Sequence, residues 1–409
     1  MAIINQPFQG RLGNILTDVM KQNYNTFTFF SAFAKNSGVL RMKPALEDFK
    51  ARGGRISGFI GIDLDGTSYE ALLNLYHLCD ELYVIHSENL STTFHSKMYI
   101  LTNSANTWCA VGSNNFTGGG LWTNFESCSI REYNNEKDAN EIFYLEEIIK
   151  KYMDSSYPCS IRISSTGIIE TLLDRHYITK EVSQKVAKTT RYVNGRKKQN
   201  GTPLFGQETI SIPAIIQVDG VKGDNLGSID LVDYTITQAR EIVPAFTNEQ
   251  FWFEMRESTG GSRNILDLSK LGKIEFGSVD GTPYEYTDSA HMYGGIKFFG
   301  IDPDDTSVTK NITINYEGKD YFPSTIKFAS HNGSWRIQLK GSPNDGSDEL
   351  SKFGNRGDFV HKILVFEKIS TEYYVLSLLE ESELENIKQI SRVWAKNGSN
   401  NSSKAYGML

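Results

Sequence analysis

Phe94-His95-Ser96-Lys97 sets an imidazole and an ammonium two residues apart. The apolar run Met98-Tyr99-Ile100-Leu101 follows at once, which predicts a buried strand over 94–101. Residues two apart on a strand share a face, so His95 and Lys97 are expected to project together. Downstream, Gly112-Ser113-Asn114-Asn115-Phe116-Thr117 closes a second apolar strand, 108–111. Gly118-Gly119-Gly120 could leave backbone N–H groups open to an anion. Glu126 sits on a third candidate strand, 124–130, where it could orient an imidazole. A nucleophile or base, two groups able to hold phosphate oxygens and an orienting carboxylate therefore fall between 95 and 126. That set suits phosphoryl transfer, with Ser113 and Gly119 supporting the phosphate loop.

Each part has a bland reading. His-x-Lys arises by chance in many chains of this length, Gly-Ser-Asn-Asn alone is a turn, and an isolated Glu is a solvated edge residue. The ordered combination in strand context is much rarer than its parts. His86, which ends a nearby predicted strand, reads as a capped surface or core histidine.

Residues 95–126 resemble the phospholipase D superfamily signature, His-x-Lys followed by Gly-Ser-x-Asn. Within it the chain is most similar to the restriction-endonuclease branch of NgoFVII and BfiI type. The resemblance is carried by Ser31-Ala32-Phe33-Ala34, Gly58-Phe59-Ile60-Gly61-Ile62-Asp63, Thr67-Ser68, Phe94–Lys97, Gly112–Thr117, Gly119-Gly120-Leu121 and Asn124-Phe125-Glu126, in that order. It covers about residues 1–150. The superfamily usually places an Asp five residues after the Lys, where this chain has Thr102. The endonuclease branch also tends to lack that Asp.

At 409 residues two domains are expected. Apolar content of 39% and charged content of 22% are ordinary for a soluble globular chain. No long apolar run predicts a membrane span, and Met1-Ala2-Ile3-Ile4-Asn5-Gln6-Pro7 lacks the form of a signal peptide. Cys79, Cys109, Cys128 and Cys159 show no Cys-x-x-Cys spacing and read as reduced thiols of a cytoplasmic protein, with no zinc site. A net charge of −7 argues against uniform coating by nucleic acid but leaves room for a local basic groove.

The first part alternates predicted helices (12–21, 42–52, 68–79, 136–153) with strands (26–30, 55–62, 81–86), an α/β pattern with the sheet buried between helices. Between 180 and 198, Lys180, Lys185, Lys188, Arg191, Arg196, Lys197 and Lys198 face a single acidic residue, Glu181. This is either a solvated linker or one that lies near a phosphate backbone. From about 203 the chain reads as short strands separated by turn clusters, a barrel or sandwich. Strands are expected at 210–217, 229–235, 250–256, 273–277, 295–299, 311–316, 324–329, 335–340, 364–368 and 373–379, with a helix at 382–391. The polar tail 396–409 reads as mobile.

This second half resembles, more weakly, the B-three-like pseudobarrel that recognises DNA in the same endonucleases. The resemblance rests on Phe251–Asn264 and Gly333–Gly341. Arg256, Arg263, Asn264, Arg336 and Lys340 are its candidate DNA contacts, since Arg can bind guanine and Asn adenine bidentately. For each Arg a surface salt bridge is the competing reading, and Trp335 reads as core. The resemblance thus implies a nuclease domain at 1–160, a basic linker at 161–200, a recognition barrel at 201–395 and a flexible tail at 396–409.

The superfamily uses two His-x-Lys motifs per active site and this chain has one, since His361-Lys362 lacks the intervening residue. The resemblance therefore implies a homodimer with a shared site, acting on double-stranded DNA without cofactor or metal. One His95 would form a phosphohistidine and the other would protonate the leaving oxygen. Lys97 and Asn115 would bind the phosphate oxygens, and Glu126 would set the imidazole tautomer. Some relatives also need a separate ATP-driven helicase subunit. A phospholipase D-type lipid phosphodiesterase and a non-catalytic DNA-binding protein are the alternatives; intact His95, Lys97, Asn115 and Glu126 weigh against the second.

Overall fold

The computed structural model describes residues 2–89, 91–186, 249–256, 263–343, 345–398 and 403–409. The strands expected at 210–217 and 229–235, and most of the basic run 180–198, lie outside these residues.

Among the described residues, eight strands build the first sheet. They are β1 (Ala2–Gln6), β2 (Thr26–Ser31), β3 (Arg55–Gly61), β4 (Glu81–Ile85), β5 (Lys97–Thr102), β6 (Asn106–Gly112), β7 (Glu126–Asn134) and β8 (Ser160–Arg162). Their order is β1-β7-β6-β5-β2-β3-β4-β8. β2, β3 and β4 run parallel, whereas β5 turns back antiparallel on β2 and begins the meander β5-β6-β7. Helices α1 (Leu12–Met20), α2 (Asn36–Ala51) and α3 (Tyr69–Leu78) cover one face, with α5 (Thr166–Asp174) beside them. The other face, lined by Phe30, Phe59, Tyr83 and Ile100, packs on half-buried Leu145, Ile149 and Tyr152 of α4 (Ala139–Met153). An α/β body is thus present, and it runs past 160. Ile163, Ile169, Leu172 and Ile178 belong to its core, so the expected linker start at 161 is corrected. Apolar burial, which the polar flanks hid, decides this.

The second body is mostly β. Its strands are β9 (Gln250–Met255), β10 (Ile265–Leu268), β11 (Leu271–Gly277), β12 (His291–Tyr293), β13 (Thr309–Tyr316), β14 (Lys319–Ala329), β15 (Ser334–Gln338), β16 (Lys362–Lys368), β17 (Tyr373–Glu380), β18 (Val393–Lys396) and β19 (Ala405–Met408). They are joined edge to edge in one sheet that runs from β10 to β12. Two short helices, α6 (Leu350–Arg356) and α7 (Leu384–Ile390), complete it. Two expectations fail here. Residues 295–299 form a 3-10 turn whose Ile296, Phe298 and Phe299 all enter the core. The supposed tail supplies β19, which pairs with β9 and β18 and buries Tyr406 completely. Among the described residues no helix is long and apolar enough to cross a membrane.

The two bodies meet through polar groups. Lys43 Nζ lies 2.5 Å from Asp320, Tyr69 donates to Glu317 at 2.6 Å, and Asn74 faces Asn315 at 3.5 Å. Glu70 and Glu367 share a small gap in this seam with Glu181, Gln250 and Ser377. Burial first, and the Glu181 charge second, push Glu70 up to about 8 and Glu367 to about 7. Raised folded-state values mean that the folded chain holds protons the unfolded chain has already released. The contribution of these two carboxyls to stability is therefore expected to be fully present at acid pH, below the ordinary carboxylate range, and to be lost, by roughly a few kcal/mol, as pH rises to about 8. Denaturant titrations across that range check this. Glu70→Gln should flatten the slope, and an unchanged slope would contradict it.

Candidate active site

β5 begins at Lys97, not at 94, so His95 stands just before the strand on its rim. Lys97 pairs with Ser31 of β2 and is almost fully buried, while His95 is exposed. The Lys97 ammonium donates to the His95 carbonyl at 2.9 Å and lies 2.8 Å from His95 Nδ1. The expected pairing of the two side chains is therefore present, as a direct contact. Burial draws the Lys97 ammonium below the ordinary lysine range, and the Glu126 carboxylate opposes that shift. Phe33 meets the His95 ring edge-on, with centroids 6.0 Å apart.

The loop after β6 is moored to the end of β2. Phe116 N–H donates to Ser31 Oγ at 2.8 Å, Lys35 N–H to the Phe116 carbonyl, and Phe33 N–H to Asn115 Oδ1 at 3.1 Å. Tyr99 OH, two residues beyond Lys97, donates to the Asn114 carbonyl at 2.9 Å. These bonds fix the Asn115 backbone and side-chain oxygen beside the Lys97 strand. Its Nδ2 has no protein partner among the described residues and is left to donate outward. Helix α2 presses on the same loop. A Cβ on Gly38 would lie 2.6 Å from Thr117 Cα, so only glycine fits there.

Glu126 is held by its own loop and strand and not by its own His95. It accepts from Ser113 Oγ in a short contact and from Asn124 Nδ2 at 3.2 Å, and among the described residues it makes no hydrogen bond to His95. Ser113 is exposed and its Oγ also takes the Ser127 N–H, so it buttresses Glu126. The glycine run is not an open anion nest either. Gly118 N–H donates to Ser37 Oγ and Gly120 N–H to Thr117 Oγ1, leaving Gly119 as the one whose N–H has no such partner. Residues 119–123 coil into one π-turn that buries Leu121 and Trp122. Buried Gln6 clamps it through the Gly119, Gly120 and Asn124 carbonyls. Nothing in the sequence near Gln6 pointed to that bond, because its partners lie more than a hundred residues away.

The expected recognition residues are scattered in their settings. Arg256 grips the buried Glu254 carboxylate through two nitrogens, at 2.5 and 3.0 Å. Arg336 donates to Asp267 at 2.7 Å across β15 and β10. For both, the salt-bridge reading describes the unliganded chain. Asn264 Nδ2 donates to the Leu339 carbonyl and secures the start of β10. Arg263 is exposed and Lys340 half-buried. Trp335 is core, its Nε1 donating to the Pro303 carbonyl.

No protein-family model and no curated protein matches the sequence. Among solved structures, the chain is similar to NucT from Helicobacter pylori, at 12% identity and a TM-score of 0.28, over 36% of this chain and 94% of that one. It is similar to Nuc from Salmonella typhimurium, a phospholipase D family member, at 17% identity and a TM-score of 0.28, over 40% and 97%. It is also similar to phosphatidylserine synthase from Haemophilus influenzae, at 10% identity and a TM-score of 0.31, over 45% and 43%. These likenesses are too slight to bear on function.

Proposed function

We propose that the chain is a phospholipase D-like endonuclease, of the site-specific restriction type, that hydrolyses phosphodiesters of double-stranded DNA from a site shared by two copies. The observation that carries this reading is the His95–Lys97 contact on an open rim, with the Asn115 amide moored beside it. A buried ammonium next to an exposed imidazole supplies fixed positive charge for phosphate oxygens and a nucleophile in one place.

The tautomer divides the roles. While Lys97 donates to Nδ1, the neutral ring carries its proton on Nε2; the ring that attacks must instead carry it on Nδ1, and the ring that protonates the leaving oxygen must carry protons on both nitrogens. An incoming phosphate draws the ammonium onto its own oxygens and releases Nδ1, to which the ring proton passes, so that Nε2 presents a lone pair. Nε2 of one His95 then attacks phosphorus, and the P–O3′ bond breaks. The 3′ oxygen takes its proton from His95 of the partner subunit, which enters as an imidazolium and is left as a neutral imidazole. Water next attacks phosphorus, gives its proton to that same partner imidazole and displaces Nε2, leaving a 5′-phosphate. Glu126, which makes no hydrogen bond to its own His95 among the described residues, would serve the ring of His95 of the partner subunit across a two-fold axis. The second, mostly-β body would supply DNA recognition, with exposed Arg263 the best placed of the expected contacts.

The test is incubation with mixed-sequence DNA in excess EDTA, followed by sequencing of the ends and acid quenching. Cleavage is expected to persist, because Lys97 supplies the charge at phosphate, and the quenched chain should carry an acid-labile phosphate on His95. Complete loss of cutting in EDTA, restored by Mg²⁺, would contradict the mechanism. A lipid-vesicle assay run beside it separates DNA from lipid as substrate.

A further inference from the structure

We propose that Asp63 and His86 are positioning residues that staple the loop carrying His95 to the body of the sheet. This rests on the reading of His95 as the nucleophile. Asp63 leaves the end of β3 and is nearly buried. One carboxylate oxygen lies 2.5 Å from His86 Nδ1 and the other accepts the Phe94 N–H at 3.1 Å. His86 opens the segment between β4 and β5, and Phe94 lies near its far end, one residue before His95. A single carboxylate therefore joins the two ends of the loop that presents the nucleophile. Inside that loop Ser87, Asn89, Ser91 and Thr92 bond locally to one another, and Glu88 accepts from Tyr177 OH.

A second route leads from the same turn to the same ring. Leu64 and Asp65 both take left-handed backbone, φ 56° and 53°, which side chains rarely adopt. Such strain persists where surrounding contacts over-determine it. The turn then brings Gly66 under Phe33 so closely that a Cβ there would overlap the ring, and Phe33 is the ring that meets His95 edge-on. Main chain through Phe94 and side chain through Phe33 thus both tie His95 to residues 63–66. His86 is itself held at its far end. Its backbone N–H donates to the Cys159 carbonyl, its ring meets Tyr177 edge-on at 5.2 Å, and its Nε2 lies 3.8 Å from Glu88. A carboxylate–imidazole pair with this geometry acts through alignment, since the Asp63 oxygens are already occupied.

Four variants test this: Asp63→Ala, Asp63→Asn, His86→Ala and His86→Asn. Asparagine at 63 keeps an acceptor for Phe94 N–H, and at 86 it keeps a donor near Nδ1. Hydrolysis of bis(p-nitrophenyl) phosphate gives kcat and KM, and amide hydrogen exchange over 86–95 reports the staple without activity. The two alanine variants should lose about 10–100-fold in kcat with KM nearly unchanged, and the asparagine variants should recover most of it. Exchange across 86–95 should rise roughly tenfold in Asp63→Ala and little in Asp63→Asn. Unchanged exchange in both alanine variants overturns the staple. Raised exchange with unchanged kcat overturns the positioning role. An inactive wild type defeats the phosphodiesterase reading instead, and the staple then stands or falls on exchange alone.

Discussion

Replacing His95 with Ala is expected to leave a folded protein that hydrolyses phosphodiesters about 10⁴-fold more slowly or worse, roughly 5 kcal/mol of lost transition-state stabilisation. His95 is exposed on the rim and buries little, so its loss should not move the melting temperature. The change also removes the acid, because each copy is proposed to serve the other. Mixing wild type with excess His95→Ala chain should therefore lower the activity of the remaining wild type more than simple dilution does. Subunit exchange followed by initial-rate measurements shows this. Activity that falls only in proportion to wild-type chain would mean that one copy holds a complete site. Sizing in solution should then be read together with that result.

Lys97→Ala should cost about 10²–10³-fold in kcat, roughly 3–4 kcal/mol, as removal of one fixed charge donor at a developing oxyanion does. The charged form is the active one. Burial lowers the Lys97 ammonium below its ordinary range, so the alkaline limb of the pH–rate profile should fall earlier than a free lysine near about 10.4 would give. The sign follows directly: deprotonation removes the positive charge, so the rate drops as pH rises through the lowered value. Lys97→Arg should move that limb upward, because a guanidinium stays charged, while kcat drops because the larger head does not fit the buried slot beside Ser31. An alkaline limb that ignores both substitutions would remove Lys97 from the chemistry.

Much of the first body was legible because its signals are local. The apolar period of 26–30, 55–62 and 81–86 survives in β2, β3 and β4 within a residue or two. His-x-Lys before an apolar run was enough to put both side chains together, since two residues of extended chain leave them little else to do. Helix α2 was cut short in the sequence reading. Its start, 36–41, buries Val39 and Leu40 and is also held by the loop at 116–118. In the second body, Lys396 to Leu409 lacks strand-like patterning until β9 and β18 offer it partners.

The sequence by itself determined which groups could do chemistry: an imidazole, an ammonium, an amide and a carboxylate, in a fixed order. Tertiary structure decided what each of them touches. It turned Glu126 toward Ser113 and Asn124, closed two of three glycine N–H groups, and set Arg256 and Arg336 against Glu254 and Asp267. It also brought Asp63 to His86 and Phe94 across more than twenty residues of chain. Hydrogen-bond partners are chosen over about 3 Å in space, and strand periodicity carries no record of which distant segment will arrive at that distance.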